Sequence, residues 1–107
     1  MLTRRLCILI AHRDIDAADA LGALCERLGH EVDFAYDSAA AREAARWLKP
    51  DVVLAARVLA NDLAEELAAE LTLAGTLLVE LVEGFDVESL LARVGRSDGA
   101  TPSDGSA

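Results

Sequence analysis

At 107 residues and 11.3 kDa the chain has room for one domain and no second, which excludes large multi-domain enzymes. Lys and Arg number 10 against 19 Asp and Glu, and the formal charge of −9 repels phosphate backbones and anionic lipid, so neither nucleic acid nor a membrane surface is an expected partner. No apolar run reaches the roughly 18 residues of a spanning helix, and the apolar stretch in MLTRRLCILIAHRD is too short for a secretory signal, so the expected location is the cytoplasm.

Arg5 to Ala11 (RLCILIA) is a continuous apolar run with β-branched residues, the pattern of a strand covered on both faces in a parallel sheet. Ala17, Ala20, Leu21, Leu24 and Leu28 then recur at the spacing of one helical face, opened by Asp14 or Asp16 as a cap and closed by Gly29. His30 to Tyr36 alternates Val32, Phe34 and Tyr36 with Glu31, Asp33 and Ala35, which suits a less central strand. Asp37 and Ser38 offer cap side chains to a second helix that turns Ala41, Ala44, Ala45 and Leu48 toward the sheet and stops at Pro50.

Asp51 to Ala56 (DVVLAA) is a second buried-type strand. A third helix is expected over Asp62 to Leu73, with Leu63, Leu67 and Leu71 in one row, and Gly75 ends it. Thr76 to Val82 (TLLVELV) forms the fourth strand. Its side chains alternate, Leu77, Val79 and Leu81 to one face and Leu78, Glu80 and Val82 to the other, so Glu80 is expected to reach solvent or an arginine across an interface. A final helix runs from Asp86 to Val94 with Val87, Leu90, Leu91 and Val94 inward. Gly95 to Ala107 has no large apolar side chain and is expected to be a disordered tail after a domain over 1–94. Cys7 and Cys25 sit in apolar patterns with neither a C-x-x-C nor a metal-ligand spacing, and are read as small hydrophobes.

Short apolar strands alternating with amphipathic helices specify an α/β domain, a parallel sheet with right-handed crossovers and helices on both faces. The stretch DAADALGALCERLGHEVDFAYDSAAAREAARWLKPDVVL, with its L-G-H-E-V and K-P-D-V-V-L junctions, resembles the receiver domains of two-component response regulators. The resemblance covers Arg5 to about Phe85. It implies a flavodoxin-like three-layer αβα fold, here shortened to four strands in the order 2-1-3-4, because only Glu83, Gly84 and Phe85 separate TLLVELV from the final helix and leave no space for a receiver's fourth helix and fifth strand.

Receivers take a phosphoryl group from a histidine kinase onto an aspartate at the end of the third strand. An acidic pair after the first strand holds Mg²⁺, and a Thr or Ser and a Lys meet the phosphoryl group. In this chain the acidic pair falls on His12 and Arg13, with Asp14 one residue further on. The phosphoacceptor falls on Ala56, and the hydroxyl position falls on Val82. Asp51 lies at the opposite end of its strand, about 16 Å away at the usual rise, and the single lysine is Lys49, at the wrong end of the second helix.

The resemblance therefore implies a pseudo-receiver, without catalysis, cofactor or metal, that works by contact with a protein partner. Loss of the fifth strand makes the fourth an edge with unpaired main-chain groups, and the expected partner is a second copy joined around the fourth strand and final helix. The residues expected there are Leu78, Glu80, Val82, Phe85, Leu90 and Leu91. The competing reading is a small flavodoxin-like ligand-binding or enzymatic domain using His12, Arg13 and Arg57 at the strand ends, although the first turn, AHRDID, lacks the glycines of a phosphate loop.

Overall fold

The computed structural model describes residues 5–82 and 86–97. The elements run β1 (Cys7–Ala11), α1 (Ile15–Arg27), β2 (Glu31–Ala35), α2 (Ser38–Leu48), β3 (Val52–Ala55), α3 (Arg57–Ala74), β4 (Leu77–Glu80) and α4 (Val87–Ser97). The four strands form one parallel sheet in the order β2-β1-β3-β4, which is the topology expected. The register places Leu9 beside Asp33 and Val53, and Val53 beside Leu78.

Two apolar layers sandwich this sheet. Leu9, Ala11, Val53 and Ala55 point to the side of α2 and α3, where they meet Ala41, Ala45, Leu59, Leu63, Leu67 and Leu71. Ile8, Ile10, Val52 and Leu54 point to the other side, among Ala18, Cys25, Val87 and Leu91 of α1 and α4. Because both faces of β1 and β3 are covered, their side chains are almost all buried, and the sequence there carries no polar alternation. β2 is covered less well: the α1 face carries Val32 and Phe34, while Asp33 is exposed on the other. Gly22 of α1 is where the Phe34 ring approaches, since a Cβ there would stand 2.5 Å from the ring.

The caps follow local chemistry. The Asp14 carboxylate accepts from the amides of Asp16 and Ala17, and Asp37 accepts from Ala40. Asp86 accepts from the amide and the hydroxyl of Ser89, and these bonds hold its carboxyl below the ordinary aspartate range. α3 ends at Gly75 with φ +78, and α2 ends at Lys49 with φ +48, the left-handed region that costs a side-chain-bearing residue. Lys49→Gly is expected to stabilise the fold by about 1 kcal/mol in denaturant titration, because glycine adopts this conformation without the Cβ clash.

Several expectations change. α3 starts at Arg57, one and a half turns before Asp62, because the leucine row extends back to Leu59, which is fully buried. Leu48 is 41% exposed instead of facing the sheet, at the last turn of α2, and Ala41 and Ala45 make the contact. Leu91, expected to face inward and also assigned to the dimer interface, is fully buried, because α4 lies across the α1 side of the sheet and uses its stripe on the chain's own core. Leu90 is half-buried in the same layer. Phe85 lies outside the described residues, as do residues 98–107 of the expected tail, and α4 itself runs to Ser97.

Candidate functional site

The C-terminal ends of the parallel strands bring the receiver-type positions to one rim. The His12 amide donates to the Ala35 carbonyl at 3.0 Å, the Ala56 amide to Ala11 at 2.9 Å, and the Leu81 amide to Ala55 at 2.8 Å. These bonds extend the three ladders past the strands and fix His12, Ala56 and the segment entering Val82 on neighbouring tracks. His12 is half-buried; its Nδ1 accepts from the Asp14 amide at 3.0 Å, so the neutral ring carries its proton on Nε2. Arg13 is exposed at the surface, and Asp14, the one carboxylate of that turn, is spent on capping α1.

Ala56 is the N-cap of α3 and supplies no side-chain acceptor, so the helix begins where a receiver would carry its phosphoacceptor. Its carbonyl still accepts from Ala60 at 2.7 Å. Ala56→Asp is expected to stabilise the fold by about 1 kcal/mol in thermal or denaturant melting, because an aspartate there caps amides that now have no side-chain partner. The same variant is expected not to become phosphorylated, since His12 and Arg13 give Mg²⁺ no carboxylate oxygens. Among the described residues no group of three or more His, Cys, Asp and Glu is placed to hold a metal.

The rim holds one ion pair that the sequence placed elsewhere. Arg57 Nε lies 3.2 Å from Glu80 Oε2, joining the first turn of α3 to the last residue of β4. Glu80, expected to reach solvent or an arginine across an interface, is partly exposed and pairs with an arginine of its own chain, brought into reach by the pairing of Ala55 with Glu80. Arg57 and His12 consequently each have an internal engagement, which weakens the ligand-binding reading of these residues. Val82, beyond β4, is 54% exposed.

Away from the rim, Arg42 pairs with Glu66 at 3.0 Å and Arg46 with Glu70 at 3.3 Å, a ladder between α2 and α3. Trp47, 79% exposed, lies with Ala39, Arg42, Glu43, Arg46 and Glu70 along an open groove of about 610 Å³. The two cysteines are unbonded; burial pushes the Cys25 thiol up to about 11, with Glu26 adding to it, and raises Cys7 as well. No helix among the described residues is long and apolar enough to cross a membrane.

No family model matches the chain, and no curated protein matches it. Among solved structures, the crystal structure of NtrX from Brucella abortus in complex with ADP aligns with a TM-score of 0.60 and 17% identity, over 88% of this chain and 26% of that one. A second crystal structure of Brucella abortus NtrX aligns with a TM-score of 0.59 and 17% identity, over 87% of this chain and 26% of that one. NtrX is a response regulator. At this identity the likeness carries the fold, a receiver-like αβα sandwich, and the present chain spans about a quarter of the length of the protein it resembles.

Proposed function

We propose that the chain is a pseudo-receiver: a non-enzymatic module of a two-component-type regulatory system that acts by contact with a protein partner, a second copy included, and not by phosphotransfer. The observation that carries this reading is the chemistry of the rim. At the end of β3 a methyl side chain, Ala56, occupies the position that would need a carboxylate nucleophile, and the turn after β1 offers an imidazole, a guanidinium and a carboxylate already spent as a cap. Phosphoryl transfer to a carboxylate needs both a nucleophile and a divalent cation to offset the charge on the transferred group. The receiver-like fold supports a signalling role, and the location expected from composition is the cytoplasm.

Incubation with acetyl phosphate and Mg²⁺ followed by intact-mass measurement tests this. The expected result is the unmodified mass under conditions that label an active receiver. Gain of one phosphoryl group on any aspartate overturns the proposal.

A further inference from the structure

We infer that the β4 edge recognises a second copy of this chain by antiparallel pairing centred on Val79, in a register selected by Thr76 and Glu80. The inference rests on reading the chain as a contact module. β4 ends the sheet among the described residues. The Leu77 amide donates to the Asp51 carbonyl and the Leu81 amide to Ala55, at 3.0 and 2.8 Å. In a parallel ladder the main-chain groups alternate in direction, so Leu77, Val79 and Leu81 spend theirs on β3, while those of Leu78 and Glu80 point outward. A second strand at this edge must therefore meet Leu78 and Glu80.

Two-fold antiparallel registers centred within the outward-facing stretch, on Leu78, Val79 or Glu80, bring outward groups face to face. Centring on Leu78 sets Glu80 of one copy against Thr76 of the other, yet the Thr76 amide already donates to the Leu71 carbonyl at 2.9 Å and has nothing left for the edge. Centring on Glu80 sets two Arg57–Glu80 pairs directly opposite, like charge against like charge, and draws in Val82, beyond the regular strand. Centring on Val79 sets Leu78 of each copy against Glu80 of the other, and all their outward amides and carbonyls find partners. On the α4 face it places Val79 against Val79 and Leu77, 42% exposed in this structure, against Leu81. Arg57 holds each Glu80 carboxylate, which lowers the cost of placing it beside a leucine of the other copy.

Sedimentation and cysteine cross-linking test the inference. Residues at a non-hydrogen-bonded antiparallel site stand about 4.5 Å apart at Cα, within the span of a disulfide. The wild-type chain is expected to sediment as a dimer at high micromolar concentration. Val79→Cys is expected to be mostly disulfide-linked after mild oxidation, with peptide mapping placing the bond between the two introduced cysteines, whereas Glu80→Cys remains unlinked. Should Val79→Cys fail to fold by circular dichroism, a mixture of Leu77→Cys and Leu81→Cys is expected to link between unlike chains. A monomer at high micromolar concentration, or linkage through Glu80→Cys or Leu78→Cys in place of Val79→Cys, overturns the inference. A monomer that still takes no phosphoryl group would leave the pseudo-receiver reading standing.

Discussion

Leu91→Ala is expected to lower folding stability by about 2–5 kcal/mol, the range for deleting a buried leucine side chain and leaving a cavity behind. Leu91 is fully buried among Leu6, Ile8, Val52 and Leu54, so the lost contacts belong to one chain and no partner refills the space. Urea titration at one fixed protein concentration measures the effect, because any self-association adds a concentration-dependent term. Loss of under about 1 kcal/mol together with dissociation of a dimer would place Leu91 at the interface expected around the fourth strand and final helix.

The second large effect is expected at His30. The ring is buried, 7% exposed, and its Nδ1 accepts from the Leu6 amide at 3.0 Å. Neighbouring main-chain bonds, His30 to Cys25 and Glu31 to Leu6, tie the end of α1 to the start of the sheet at the same point. His30→Ala leaves a buried amide without an acceptor, which costs about 1–3 kcal/mol. His30→Asn is expected to recover much of this loss, since an amide oxygen has a lone pair to offer where Nδ1 stands.

The same bond makes stability depend on pH. Burial lowers the His30 pKa below the ordinary histidine value of 6.5, and a proton on Nδ1 would abolish the acceptor. The unfolded chain therefore binds this proton more readily than the folded one. The contribution of His30 is complete above about pH 6.5 and declines as the pH falls below that value toward the lowered folded pKa. Urea midpoints between pH 7.5 and 5 are expected to fall in the wild type and to fall less in His30→Asn. Equal slopes in the two proteins would show that His30 is not the titrating group.

Much of the architecture was legible because burial writes itself into residue order. RLCILIA and DVVLAA lack polar alternation since β1 and β3 are covered on both faces, and HEVDFAY alternates since β2 is not. The start of α3 is not marked in the sequence by a cap side chain, since Ala56 has none; Leu59, four residues before Leu63, is the signal that extends the helix to Arg57. The stripe of α4 identified a buried face without saying whose core it enters. That depends on how α4 crosses the sheet, which a 3.6-residue period does not encode. The Arg57–Glu80 pair joins residues 23 apart in sequence and becomes visible only once the β3–β4 register sets Ala55 beside Glu80. The residue types at the rim, His12, Arg13, Ala56 and Val82, are read from the resemblance to receivers, and the structure sets His12, Ala56 and the segment entering Val82 on neighbouring tracks. The engagements of His12 and Arg57 are not legible there, because the first arises from the geometry of the turn after β1 and the second from the β3–β4 register.

The central claim is that no acyl phosphate forms or is mimicked at the end of β3. Titration of ¹⁵N-labelled protein with beryllofluoride and Mg²⁺ tests it most directly, by following the amides of His12, Ala56 and Arg57. The account predicts no shift in these resonances up to millimolar ligand. Saturable shifts centred on Ala56 that require Mg²⁺ would contradict it.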